Sequence, residues 1–247
     1  PLASLENSQQ SAEKKISPYM EKACQLIEKQ CIKDLISYFE REEVQNDSQI
    51  QTLIGSLYHD GVGFEQSYSK AATWWEKAAL QGDAHAQSLL ANLYFHGPGV
   101  EKNEEKGMLW LNKALAQNHD VALYILGQKY YVGNGVPQDD QKAFELFTQS
   151  AAKGNLYGQY HLGIMYLQGK ATKQNLSEAF TLLKKAADAG MKEAQFELGI
   201  MYLNGEGIKR DRALGATYVE LAARQGLDTA QYTLGKIYAI YGSPKKA

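Results

Sequence analysis

The side chains best suited to chemistry in this 247-residue chain are five histidines and two cysteines. His59, His85, His96, His119 and His161 could bind a metal or relay a proton, but no His-Glu-x-x-His or Cys-x-x-Cys spacing sets two ligands side by side. On one straight helix Cys24 and Cys31 would stand about 10 Å apart along the axis, too far to bridge unless the helix breaks near Glu28-Lys29-Gln30. No Gly-x-x-x-x-Gly-Lys-[Ser/Thr] loop occurs, and the Gly-x-Gly segments sit between helical stretches rather than after a strand, so a nucleotide site lacks its context. The adjacent acids Glu104-Glu105 and Asp139-Asp140 read as solvated pairs. Nothing assembles a nucleophile, a base and an oxyanion site, so the expectation is a non-enzyme with no cofactor and no metal.

Charge and composition narrow the partner class. The 26 Lys and Arg against 28 Asp and Glu leave a formal charge of -2, which argues against a general polyanion binder and so against a nucleic-acid partner. A hydrophobic fraction of 44% is enough for an extensive core, and no run of eighteen apolar residues reads as a transmembrane segment. The chain opens Pro1-Leu2-Ala3 without an initiator Met, which reads as a fragment or a processed product. The compartment stays open between secreted or periplasmic and cytoplasmic.

The elements that carry these residues repeat. Tyr58, Tyr94, Tyr130, Tyr166, Tyr202 and Tyr238 recur every 36 residues without a slip. Four before each stand Ile54, Leu90, Leu126, Leu162, Leu198 and Leu234; three before stand Gly55, Ala91, Gly127, Gly163, Gly199 and Gly235. Glycines follow three and five residues after most of the tyrosines, and each unit closes on a small pair such as Ala186-Ala187, then Gly or Asn. The apolar spacing is one face of a helix, the glycine loop breaks it, and a second apolar run follows. Each unit is therefore a helical hairpin that cannot bury its own core alone, and stability must come from stacking. The glycines three before each Tyr lie inside a helix at a cost of about 0.5–1 kcal/mol, which implies close approach of the neighbouring helix, so that Gly163→Leu should be severe.

The stretch Ala122-Leu-Tyr-Ile-Leu-Gly-Gln-Lys-Tyr-Tyr-Val-Gly-Asn-Gly-Val136 and its counterpart Ala194 to Ile208 resemble the Sel1-like repeat family, a longer relative of the tetratricopeptide repeat. The resemblance covers about residues 50–240. It implies an all-α, right-handed solenoid of antiparallel hairpins whose first helices line the concave side. It also implies a non-catalytic adaptor, with bacterial signalling, envelope or host-interaction roles as the expected setting. The alternative reading is a ligand-binding or catalytic protein that uses an unmarked concave pocket. Two departures stand out: Lys170-Ala171-Thr172 replaces the usual loop sequence, which predicts a different fourth turn, and Leu214-Gly215 replaces Lys-Ala while keeping that position small.

The expected organisation is a flexible segment at 1–14, a degenerate hairpin and linker at 15–48, and the repeat solenoid at 49–241 with five full repeats and a last first-type helix. A polar tail at 242–247 follows. Glu40 to Ser48 is the expected linker, and the uncapped C-terminal end is an expected route to self-association. Trp74, Trp75 and Trp110 fall in second helices and read as core or convex-side residues.

A partner would sit on the face of the first helices that the repeat columns leave free. Six before, two before and one after the key Tyr, this face changes from polar to apolar along the chain. The expected protein- or peptide-binding residues are Tyr124, Gln128, Tyr131, Tyr160, Ile164, Leu167, Phe196, Ile200, Leu203 and Tyr232. Aromatic and aliphatic side chains on a rigid scaffold make good anchors, while a tightly wound solenoid could bury the same positions.

Overall fold

The structure, a computed structural model, describes residues 16–28 and 32–241. The segments expected at 1–14 and 242–247, and Cys31, lie outside the described residues; Cys24 is half-buried in the first helix. The described chain is an all-α solenoid of helical hairpins. The described residues divide into two compact units, one of 16–28, 32–129 and 133–137, the other of 130–132 and 138–241.

The first unit opens with α1 (Pro18–Glu28), α2 (Ile32–Phe39) and α3 (Glu42–Gln45). Ala23, Leu35, Tyr38, Phe39 and Val44 from these helices pack with Ile50, Leu53, Ile54 and Leu57 of α4 (Ser48–Asp60). The stretch expected as a linker thus contains a helical turn, pinned because Val44 is buried in that cluster. The unit continues with α5 (Tyr68–Leu80), α6 (Ala84–His96), α7 (Glu104–Ala116) and α8 (Asp120–Val132), the last as far as Lys129. Trp75 and Trp110 are core residues, and Trp74 is half-buried with the Lys77 ammonium 4.4 Å from its ring centroid.

The second unit contains α9 (Asp140–Ala152), α10 (Leu156–Gln168), α11 (Leu176–Asp188), α12 (Lys192–Asn204), α13 (Arg212–Arg224) and α14 (Asp228–Tyr241). Helices α10 and α11 pack as one hairpin and α12 and α13 as the next, with α11 against α12 and α13 against α14 joining successive hairpins.

One hydrogen bond shows that the hairpins are equivalent. The residue that caps each second helix donates its backbone N–H to the carbonyl of the key Tyr: Ser67 to Tyr58, Asn103 to Tyr94, Asp139 to Tyr130, Asn175 to Tyr166 and Asp211 to Tyr202, all at 2.8–3.0 Å. The side chains of the same five residues accept an N–H from the first helical turn, as a Ser, Asn or Asp N-cap does. The key tyrosines therefore mark the point where the chain doubles back.

The inward glycine column meets its neighbours closely at Gly55, Gly163 and Gly199, but at Gly235 a Cβ would have nothing within 4 Å among the described residues. A Cβ at Gly199 would lie 2.8 Å from Val219 Cγ2 and 3.0 Å from the Gly215 carbonyl oxygen, so α12 and α13 touch backbone to backbone. The fourth turn corrects the sequence reading. Ala171 has φ 60, in the same left-handed region as Gly207 (φ 70) one unit later, so the loop keeps its shape. Alanine accepts the strained conformation because both flanking helices are fixed by the hairpin.

Candidate functional site

Every first helix of a full repeat is 13 residues long and buries one face. In α10 that face is Gly158, Gln159, Leu162, Gly163 and Met165; in α12 it is Ala194, Gln195, Leu198, Gly199 and Met201. Helical geometry then turns Tyr157, Tyr160 and Ile164 of α10, and Glu193, Phe196 and Ile200 of α12, toward the opposite side. Tyr157 is 53% exposed, and Ile164 and Ile200 are half-buried.

The ten expected binding residues fall in different settings. Tyr124 and Gln128 belong to the first unit, where Tyr124 packs on the Trp110–Ala122 core and Gln128 is half-buried. The other eight belong to the second unit. There Tyr160 packs on the cluster of Ala186, Ala187, Ala194 and Leu198, and Phe196 on that of Val219, Ala222, Ala223 and Ala230, each cluster drawn from its own repeat and the one that follows. These two aromatics join neighbouring repeats while remaining half-buried. Tyr232, in α14, is 67% exposed.

The column one after the key Tyr is tied more closely to its own hairpin. Leu203 Cγ would lie 2.8 Å from a Cβ at Gly215, and in the first unit a Cβ at Gly107 would meet the Phe95 ring at 2.4 Å. Tyr131 lies against the Phe147 and His161 rings, with the Lys170 ammonium 4.0 Å from its centroid. Leu167 is half-buried. Ile164 and Ile200 are the aliphatic pair of the column two before the key Tyr, at matching helix positions in successive repeats, where the first unit carries Ser56, Asn92 and Gln128.

The sequence reading passed over two ionisable residues beside this stripe. Five before the key Tyr, the first unit carries Leu53, Leu89 and Ile125, whereas the second carries His161 and Glu197. His161 stacks on Phe147 with ring centroids 5.0 Å apart and meets Tyr160 edge-on at 5.1 Å. Burial pushes its pKa down to about 4, so it is neutral at physiological pH. Burial also raises the Glu197 carboxyl above its usual range, and the nearby Glu206 pushes in the same direction. The signal was available in the column itself, where a charge-bearing type replaces an aliphatic one.

Among the described residues no group of three His, Cys, Asp or Glu could hold a metal, and no helix is long and apolar enough to cross a membrane.

The comparisons agree with this geometry. None of the curated proteins compared matches this chain in sequence. A Sel1 repeat protein from Oxalobacter formigenes is 28% identical over 94% of this chain and 92% of its own, with a TM-score of 0.69. The protective antigen c5321 of uropathogenic Escherichia coli, which displays the same repeat fold, is 29% identical over 87% of this chain and 46% of its own, at a TM-score of 0.61. A Sel1 repeat protein of Klebsiella pneumoniae shares the fold at 21% identity and a TM-score of 0.56, over 81% of this chain and 98% of its own. Sel1 repeats are generally non-catalytic protein–protein interaction modules. The family pattern matches five consecutive units, 50–83, 84–119, 120–155, 156–191 and 192–227, and the chain belongs to the Sel1 repeat family.

Proposed function

We propose that this protein is a non-catalytic adaptor that takes a partner peptide or helix on the outward stripe of its first helices, with Ile164 and Ile200 as the anchors. The observation that carries the reading is the placement of these two isoleucines. They occupy matching positions in successive repeats, half-exposed and flanked by Tyr160 and Phe196, on helices whose opposite faces are fully packed. A rigid pair of apolar anchors costs little to order on binding, and such positions concentrate binding energy. The solved relatives are bacterial, and one is described as a protective antigen of uropathogenic strains. That likeness supports a bacterial setting in signalling, at the envelope or in contact with a host.

The test is selection of peptides from a random dodecapeptide library on the immobilised chain, followed by calorimetry. Selected peptides should bind the wild type and lose at least about tenfold in affinity to the Ile164→Asp/Ile200→Asp variant, which keeps its helical signal. Undiminished binding by that variant, or melting of its helices, would reject the surface.

A further inference from the structure

We infer that the segment recognised on the α10–α12 face is cationic as well as apolar, its Lys or Arg side chains meeting the carboxylates of Glu193 and Glu197 beside Ile200. This rests on the binding reading above and adds the chemistry of the partner.

Glu193 and Glu197 are four apart on α12, on one side of the helix, and Ile200 follows three residues after Glu197. Both carboxylate-bearing residues are half-buried. Among the described residues neither makes an ion pair, and the charge that acts on Glu197 is the repulsive one of Glu206. Glu206 accepts a hydrogen bond from Asn204 Nδ2 at 2.8 Å rather than from a cation.

The nearby cations are placed elsewhere. Lys236, one repeat beyond Ile200 at the same helix position, sits 4.3 Å from the Tyr232 ring centroid. Arg210 donates Nε to the Leu203 carbonyl at 2.7 Å. Lys192 precedes Glu193 and is turned by one residue around the helix, and Lys184 is paired with Asp188 at 2.7 Å. His161, at the position of Glu197 one repeat earlier, is neutral in its aromatic setting and offers no countercharge.

A carboxylate held partly out of water without a cation is costly in the free protein, and an incoming ammonium or guanidinium removes that cost. The same residues disfavour an acidic segment by like-charge repulsion, so the charge sets partner choice and the isoleucines set the depth of contact.

The experiment uses the peptides selected on the full chain, measured by calorimetry against wild type, Glu193→Gln/Glu197→Gln and Ile164→Asp/Ile200→Asp at about 0.05 and about 0.5 M salt. The selected peptides should be enriched in Lys and Arg. Their affinity should fall at least about tenfold in the Gln variant and again at high salt, and replacing their basic residues by Glu should abolish binding. Peptides that depend on Ile164 and Ile200 but bind the Gln variant as tightly as the wild type would overturn the charge inference and leave the binding surface standing. Binding that survives the Asp variant would overturn the surface itself.

Discussion

Gln195 and Gln225 stand 30 residues apart, and the Gln225 Nε2 donates to the Gln195 Oε1 at 2.8 Å. The Gln195 amide passes its own N–H to the Ala187 carbonyl at 3.2 Å, while Gln225 also reaches the Gly190 carbonyl at 3.0 Å. The same relay joins Gln87 to Gln117 at 3.0 Å and Gln51 to Gln81 at 2.8 Å. Each pair therefore ties the end of a second helix to the first helix of the same hairpin, and Gln87 and Gln195 carry the tie on to the end of the preceding second helix.

The relay is absent where Leu123 and Lys153 take both positions, and it is left half-made at Gln159, where a stabilising substitution is expected. Thirty residues after Gln159 comes Ala189, and among the described residues the buried Gln159 Oε1 has no hydrogen-bond partner. Ala189 has the backbone of Gln225, with φ -77 against -84, so Gln fits without strain. Ala189→Gln should raise stability by about 1 kcal/mol in urea unfolding, and Gln225→Ala should lower it by about 1–3 kcal/mol by stranding the Gln195 oxygen.

Ala171 offers a second gain. Its left-handed backbone is unfavourable for any residue with a Cβ, and the equivalent positions carry Gly63, Gly99, Gly135 and Gly207. Ala171→Gly should stabilise by about 0.5–1 kcal/mol, the relief of strain exceeding the added freedom of the unfolded chain. Gly207→Ala should do the opposite, since its Cβ would lie 2.4 Å from Leu176 Cβ. Thermal melting of the two variants side by side checks the sign of both.

In the first unit, Lys129 occupies the inward position that is Leu57, Leu93, Met165 and Met201 in the other full repeats. Its ammonium donates to Glu104 Oε1 at 2.6 Å and lies 3.7 Å from the Phe95 ring centroid, with only 6% of the side chain exposed. Replacing a buried, paired charge by a hydrophobe of similar length tends to be neutral or stabilising, so Lys129→Met should unfold no earlier than wild type. Glu104→Ala should cost about 2 kcal/mol, reduced from the fully buried case because Glu104 is 47% exposed. Equal losses in the two variants would contradict this.

Acid should destabilise the second unit through His161. In the unfolded chain its imidazole gains a proton near pH 6.5, while the folded site holds out to about 4. The unfolded state binds more protons between these values, so the contribution is whole above about pH 6.5 and is lost as pH falls toward 4, to a limit of about 3 kcal/mol. Glu197, whose folded pKa is raised, acts in the other direction, since acid neutralises a carboxyl that burial disfavours. His161→Leu, which restores the aliphatic type found at Leu53 and Leu89, should flatten the fall in stability between pH 6.5 and 4 in urea titrations at stepped pH.

These residues show how far the sequence could be read. The hairpins were legible because Tyr58 to Tyr238 and the glycine columns share one period, and the close approach at Gly199 follows from glycine in a helix. The turn at Ala171 was misread because residue type shows what a backbone prefers, not what fixed neighbours impose. The glutamine relay was hidden because its spacing of 30 crosses the 36-residue period and appears only when helices are stacked. The inward set of Leu203 depends on Gly215, a small residue on another helix, which a column read alone does not reveal.

Methyl NMR of the protein carrying labelled isoleucine δ1 methyls, titrated with a selected peptide, tests the adaptor reading most directly. The account predicts that the Ile164 and Ile200 methyl signals shift and broaden together while the buried Ile54 signal stays in place. Saturable peptide binding that leaves Ile164 and Ile200 unmoved would contradict it.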